Sequence, residues 1–222
     1  TRMTTTDYSA EQVHQLGLEQ VARIHGEMRQ IMQQVGFAGD LAEFFVFMRE
    51  APQFYYPDNA EGRAAYLAEA TAVIDDMRTR LDQLFLVKPK AEMIVKAVEP
   101  FREQSAGKAF YEQPSMDGKR PGVYYANLYR MKGMPKYELE ALAFHEGIPG
   151  HHWQISIQQE SGSIPFIRSA MLGFSAFSEG WGLYAEQLAD ELGAYSNNRL
   201  GRLGYPQSAT FRASRLVCDT GL

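Results

Sequence analysis

The sequence predicts a mostly α-helical protein of the α+β class with a small β-sheet. Apolar residues recur at helical spacing through residues 1–90, two β-branched and aromatic runs follow, and helical spacing returns after Pro135. We therefore expect a single domain, or part of one, in which the strands and a second set of helices lie within residues 91–222.

The first predicted helix runs from Ser9 to about Gln34. Ser9 and Gln12 form a capping-box signature, in which each side chain bonds the backbone N–H of the other residue at the start of a helix. The apolar positions recur at helical spacing and predict one buried face, formed by Val21, Ile24, Met28, Ile31 and Val35.

Two more helices are predicted in this portion, separated by a loop. The shorter one covers Leu41–Met48 and is rich in phenylalanine, and the two prolines within residues 51–57 end it. Helical spacing resumes after Asn59, with one face formed by Tyr66, Leu67, Ala70, Ile74, Met77, Leu81 and Leu84.

Two strands are predicted where this pattern changes. Met93–Val98 and Val123–Tyr129 are rich in β-branched and aromatic residues, and turn-forming residues bound both runs. Residues 113–122, which contain prolines and glycines, predict a loop between them. We hypothesise that the edge of the second strand binds an extended peptide by β-addition.

Helical segments are predicted again after the strands. Residues Tyr137–Phe144 lead into a cluster of histidines, and the helical pattern resumes at residues 153–157. Further helices are predicted at Ala176–Leu192 and Tyr205–Val217.

Composition and charge exclude several classes of protein. The net charge is −5 and no lysines or arginines cluster, so the sequence lacks the positive surface typical of proteins that bind nucleic acid or acidic membranes. No apolar run is long enough for a membrane span. Cys218 is the single cysteine, which excludes an internal disulfide framework and a cysteine-based zinc site.

The segment from His145 to His152 begins like the HExxH motif of zinc peptidases. In that motif two histidines one helical turn apart bind zinc and the glutamate, here Glu146, acts as a base. Pro149 stands where the second histidine would fall. A continuous helix would separate His145 and His152 by about 10.5 Å along its axis, too far for one ion. Because Pro149 and its neighbouring glycines interrupt the helix, we expect a bulge that brings one histidine back.

The spacing leaves open which histidine returns to the metal. The Gly–His pair of some HExGH peptidases favours His151, whereas the trailing His-x-Gln pattern favours His152. The histidine that does not bind the metal would orient a ligand or donate a hydrogen bond to a tetrahedral oxyanion. Both residues are therefore candidates for the metal site.

Glu179 and Glu186 are the candidates for a third ligand. They lie seven residues apart on one face of a predicted helix. Glu179 is favoured because Gly180 and Gly182 allow this helix to lie close to the histidines, and Glu186 is then a hydrogen-bond partner of a ligand or a surface charge. The predicted ion is Zn²⁺, which in hydrolases takes three protein ligands and leaves one position for water.

Glu146 is the predicted catalytic residue of a zinc metallopeptidase. It would take a proton from the attacking water and pass it to the leaving amine of a peptide or small amide substrate. Residue type alone suggests four groups that could stabilise the oxyanion: Tyr184, Tyr205, Arg212 and Arg215.

Three alternatives stay open at this point. The site could serve a metal-dependent amidohydrolase that acts on a small molecule, or a non-catalytic metal-binding helical module. The histidines could also be solvent-facing residues at a simple break in a helix.

Several segments resemble a bacterial family known as domain of unknown function 885. The resemblance is carried by His145-Glu146-Gly147-Ile148-Pro149-Gly150-His151-His152, by Phe177-Ser178-Glu179-Gly180-Trp181-Gly182-Leu183-Tyr184-Ala185-Glu186, by Arg215-Leu216-Val217-Cys218-Asp219-Thr220-Gly221-Leu222 and by the start of the chain at Thr4-Thr5-Thr6-Asp7. It covers essentially the whole chain.

The resemblance implies a zincin-like metallopeptidase of the gluzincin type, with a pair of helices forming the metal site. It places His145, Glu146, the His151–His152 pair and Glu179 at matching positions. Family members are usually longer, which implies that this chain is a portion of a larger protein whose pattern continues past Leu222. Many relatives look exported or lipid-anchored, which implies a periplasmic, secreted or lipid-anchored setting.

Overall fold

The computed structural model is mostly helical with a three-stranded sheet, which confirms the predicted α+β class. It describes residues 4–196 and 198–222, except the side chains at positions 170, 199 and 200. Within these ranges no helix combines the length and the apolarity that crossing a bilayer requires.

The helices and strands lie close to their predicted positions. The helices are α1 (Ala10–Gln34), α2 (Leu41–Glu50), α3 (Ala60–Arg80), α4 (Lys136–Glu146), α5 (His151–Glu160), α6 (Ser175–Glu191), α7 (Arg199–Arg202) and α8 (Gly204–Gly221). The strands are β1 (Met93–Ala97), β2 (Ala109–Glu112) and β3 (Gly122–Ala126). Short 3-10 turns occupy Pro52–Phe54, Leu81–Gln83 and Met131–Gly133, and a π-helical turn occupies Ile167–Met171.

Local sequence signals account for the helix ends. The predicted capping box is present at α1, where the Gln12 N–H donates to Ser9 Oγ over 3.2 Å and the Ser9 N–H donates to Gln12 Oε1 over 2.8 Å. The predicted loop at 51–57 contains a 3-10 turn that buries Phe54. Leu84 departs from the predicted face of α3 and is 44% exposed, because the helix gives way to a 3-10 turn after Arg80.

The sheet corrects two expectations from the sequence. Its strand order is β1-β3-β2, with β1 parallel and β2 antiparallel to β3. Strand β2 was not predicted, since four half-buried residues show no alternation. Because β3 is hydrogen-bonded on both sides, the prediction that the strand within Val123–Tyr129 offers a free edge to a peptide is wrong. In this sheet the free edges belong to β1 and β2.

Helix α4 lies between two apolar cores and carries the first histidine of the motif at its end. Its contacts include α3, α6, α7, α8 and β2. One core joins α3, the sheet, α4 and α5, and includes Tyr66, Tyr124, Leu139, Phe144 and Trp153. The other joins α1, α2, α4 and α8, and includes Ile24, Met28, Phe44, Tyr137 and Ala213. A helix packed on several sides can hold functional side chains in fixed positions.

Candidate metal centre

The predicted interruption of the helix lies between α4 and α5. Gly150 is needed there, since a Cβ at this position would lie 1.9 Å from the carbonyl oxygen of His145. The His152 N–H donates to the carbonyl of Gly147 over 3.2 Å, and the indole N–H of Trp181 donates to the carbonyl of Pro149 over 2.8 Å. The chain therefore turns back after α4 and presents a new helix start at His151.

This turn brings His145, His151 and Glu179 together. One ligand atom from each residue lies within 4.8 Å of the other two. The Nε2 atom of His145 is 3.4 Å from Oε2 of Glu179, and the Nε2 atom of His151 is 3.5 Å from Oε1 of the same carboxylate. Tetrahedral zinc, with bonds of 2.0–2.2 Å, separates its ligand atoms by about 3.3–3.6 Å. The residue types fit zinc, and the two contacts of 3.4 and 3.5 Å, one to each oxygen of Glu179, match this separation.

The three residues differ in exposure. His145 and His151 are 5% and 8% exposed, which contradicts the alternative of solvent-facing histidines. The Glu179 side chain is 53% exposed. The cluster is therefore buried on the histidine side and open on the glutamate side, as expected of a site that admits water or substrate.

Glu186 fixes the orientation of His145. Its Oε1 atom lies 2.8 Å from Nδ1 of the imidazole and accepts a hydrogen bond from Ser208 Oγ over 3.2 Å. Burial alone would lower the pKa of His145, but the hydrogen bonds with Glu179 and Glu186 outweigh it and raise the pKa to about 9. Glu186 is 1% exposed, so the prediction that it is a surface charge is wrong. Its contact with His145 agrees with the alternative prediction, that Glu186 is a hydrogen-bond partner of a ligand.

Of the two glycines near Glu179 on α6, one explains why this helix lies close to His145. A Cβ on Gly182 would lie 2.6 Å from Cε1 of His145, whereas a Cβ on Gly180 would have nothing within 4 Å. The predicted role of Gly182 is therefore supported. The predicted role of Gly180 is wrong, because its position faces open space.

His152 lies outside the cluster, so of the two candidate histidines the structure places only His151 beside His145 and Glu179. The residue is fully buried, with Nε2 3.1 Å from the carbonyl oxygen of Ala91 and Nδ1 2.8 Å from the hydroxyl of Tyr111. Since a carbonyl only accepts, Nε2 carries the hydrogen and Nδ1 accepts from Tyr111. Burial lowers the pKa of His152 to about 4. A neutral imidazole with both nitrogens bonded connects α5 to β2.

Glu146 lines a cavity beside the cluster. The cavity has a volume of about 410 Å³, and His145 and Arg212 also line it. Burial raises the pKa of the Glu146 carboxyl, while the charges of His145 and His151 oppose that rise. A carboxyl whose pKa is raised toward neutral is suited to accept and return a proton.

Arg212 is the one oxyanion candidate, among the described residues, that contacts the cluster. Its Nη2 atom is 3.2 Å from Nε2 of His145, and its Nη1 atom is 3.6 Å from Oε2 of Glu179. The other three pack against aromatic rings instead, as Tyr184 does with Trp181, Tyr205 with Tyr195 and Arg215 with Phe211.

Two supporting residues were not singled out from the sequence. Ser208 reaches Glu186 from α8, and Tyr111 reaches His152 from β2. Both contacts join segments far apart in the chain, and neither residue lies in a recognisable motif. For Tyr111 the strand itself was not predicted.

Comparisons with known proteins show which proteins this chain resembles. A family model described as bacterial protein of unknown function (DUF885) matches residues 1–222. The crystal structure of a candidate lipoprotein from Colwellia psychrerythraea is 39% identical, with a TM-score of 0.95, and the match covers 100% of this chain and 38% of that chain.

A second structure shows the same fold at lower identity. It belongs to a candidate lipoprotein of unknown function from Shewanella oneidensis, which is 17% identical with a TM-score of 0.73, and the match covers 97% of this chain and 40% of that chain. This chain thus spans well under half the length of both proteins. None of the curated proteins is a significant match.

Proposed function

This chain belongs to the bacterial family DUF885, and we propose that it carries the active site of a zinc-dependent metallopeptidase of the zincin-like type. The observation that carries the proposal is the cluster of two buried imidazole nitrogens and one carboxylate oxygen within 4.8 Å of one another. Glu146 directly follows the first histidine of the cluster, and a carboxylate at this position favours a catalytic metal site over a purely structural one.

The residues have distinct roles in this proposal. Nε2 of His145, Nε2 of His151 and the Glu179 carboxylate would hold the zinc ion. Zinc supplies a Lewis acid that activates water and polarises a carbonyl. Glu186 keeps Nδ1 of His145 protonated through the 2.8 Å contact, so that Nε2 is available as a ligand.

Proton transfer falls to Glu146 in this mechanism. The half-buried carboxylate takes a proton from the attacking water and returns it to the leaving amine. The positive guanidinium of Arg212 lies beside the proposed ligands, with Nη2 3.2 Å from Nε2 of His145, on the side where a substrate would bind.

A peptide is favoured over a small amide by the strand beside the cavity. Ala109, the first residue of the edge strand β2, lines the same cavity as His145 and Glu146. An edge strand can bind an extended peptide through its backbone. A small amide is the second candidate, because a cavity of about 410 Å³ is at the lower end of the range for small ligands.

The setting of the protein is also a proposal. The two solved structures from Colwellia psychrerythraea and Shewanella oneidensis are described as candidate lipoproteins. This description supports an exported or lipid-anchored setting for this chain.

The test measures peptide cleavage by the purified, zinc-loaded protein on a mixed peptide library. Glu146→Gln should retain zinc while turnover falls about 10²–10⁴-fold, since only the proton acceptor is lost. Glu191→Gln, an exposed carboxylate on α6, is the matched control and should behave like the wild type. Absence of cleavage by the zinc-loaded wild type, or equal turnover in Glu146→Gln, would contradict the proposal.

A further inference from the structure

The charge of Arg212 is poorly neutralised where it stands. Its ion pair is with Glu179, whose Oε2 atom is 3.6 Å from Nη1. Its Nε atom is buried and has no hydrogen-bond partner among the described residues. The remaining contact is with the ring nitrogens of His145, at 3.2 and 3.3 Å from Nη2. If the cluster binds zinc as proposed, both His145 and Glu179 turn to the ion and Arg212 loses these neighbours.

Two other carboxylates of the cavity already have hydrogen-bond partners. Glu138 accepts hydrogen bonds from Lys108 and from Gln207, the latter over 2.8 Å. Glu186 is bonded to His145 and Ser208 through Oε1, and its buried Oε2 has no hydrogen-bond partner among the described residues. Among the described residues that line the cavity, Arg212 and the proposed base, Glu146, have no carboxylate or cation within about 3.5 Å, and Arg212 has only its 3.6 Å ion pair with Glu179.

The cavity has the size and lining of a pocket for part of a substrate. Its volume of about 410 Å³ is enough for a small ligand, and Leu142 and Phe211 add apolar surface to the lining. An anionic ligand in this cavity would meet the positive guanidinium directly. Arginine binds a carboxylate through two parallel N–H···O bonds, a geometry that also fixes the orientation of the ligand.

We propose that Arg212 binds a carboxylate of the substrate in this cavity, so that the enzyme prefers peptides with a carboxylate next to the scissile bond. The inference rests on the proposed function and assigns its substrate class. The carboxylate could be the C-terminal group of the peptide or the side chain of an aspartate or glutamate. Either source places one negative charge against the guanidinium of Arg212, whose ion pair with Glu179 is 3.6 Å long.

The test measures binding rather than turnover, with zinc-loaded Glu146→Gln protein and titration calorimetry. The probes are a tetrapeptide with a free C-terminus, its C-terminal amide, and the same amide with a glutamate next to the scissile bond. At least one carboxylate form should bind about tenfold more tightly than the uncharged amide. Whichever form binds more tightly identifies the source of the carboxylate.

The preference should depend on Arg212 in this background. Arg212→Gln should reduce it to less than about threefold, Arg212→Lys should retain part of it, and the exposed Arg215→Gln control should retain all of it. Equal binding of acid and amide forms, or an unchanged preference in a folded Arg212→Gln, would overturn the inference. If the protein holds zinc and cleaves peptides without this preference, the inference alone fails. If it holds no zinc, the proposed function fails as well.

Discussion

The buried carboxylate of Glu186 holds the imidazole of His145, with Oε1 2.8 Å from Nδ1. A carboxylate in this position keeps the hydrogen on Nδ1, so that Nε2, the nitrogen facing Glu179, is the one that would give up its hydrogen and bind zinc. The two glutamates lie on one face of α6, seven residues apart, and touch the two nitrogens of one ring. A single helix thus supplies both a proposed ligand and the group that orients the other ligand.

Removal of the Glu186 carboxylate should weaken zinc binding without abolishing it. In Glu186→Ala the buried Nδ1 loses its acceptor, and we expect the zinc affinity to fall about 10–100-fold. Competition with a chromophoric chelator measures the affinity, and Glu191→Gln on the same helix is the control. Unchanged affinity in Glu186→Ala would contradict the role given to this contact.

A methyl group on Gly182 should displace His145, whereas one on Gly180 should not. A Cβ at 182 would lie 2.6 Å from Cε1 of His145, and a Cβ at 180 would have nothing within 4 Å. We expect Gly182→Ala to lower the free energy of unfolding by about 1–3 kcal/mol and to lower zinc affinity. Gly180→Ala should raise the free energy of unfolding by about 0.5–1 kcal/mol, since alanine favours a helix. Urea titration measures the free energy of unfolding of the two variants, and equal effects would contradict the packing described for α6.

Glu140 should make the fold less stable at alkaline pH. Burial raises the pKa of this carboxyl to about 7, and the nearby Glu69 and Asp76 add to the rise. Because the pKa is higher in the folded state than in the unfolded chain, the protonated form stabilises the fold below about pH 4.5, and this stability is lost as the pH rises through 7.

The Glu140→Gln variant isolates this effect. Glutamine carries no charge, so the variant should exceed the wild type in free energy of unfolding by roughly 2 kcal/mol more at pH 8 than at pH 5. Urea titrations at the two pH values measure the difference, and Glu191→Gln should follow the wild type at both. A difference that does not change with pH would show that Glu140 titrates normally.

Local signals predicted the helices because each helix end is decided by neighbouring residues. The capping box of Ser9 and Gln12 is a property of one turn, and the apolar face of α3 is a pattern that repeats within one helix. Strand β2 has four residues and takes its stability from pairing with β3, so its sequence holds no sufficient signal. For the same reason the run of apolar residues in β3 could not show that this strand is central.

The site was predicted in part for a similar reason. His145, Glu146 and Glu179 follow from residue type and spacing on helices. The choice between His151 and His152 depends on the backbone path between α4 and α5. Consecutive side chains on a helix point about 100° apart, so a shift of one residue at the start of α5 would exchange the two histidines. The position of Arg212 depends on the packing of α8 against α4 and α6, which spacing along the chain does not reveal.

The zinc content of His151→Ala and His152→Ala tests the central claim most directly. The two histidines are adjacent and both buried, but only His151 has a nitrogen within 4.8 Å of the other proposed ligand atoms. Metal analysis of the purified proteins should find about one zinc ion per chain in the wild type and in folded His152→Ala, and little or none in His151→Ala. Equal zinc in the two variants, or a wild type that retains none, would contradict the assignment of this cluster as a zinc site.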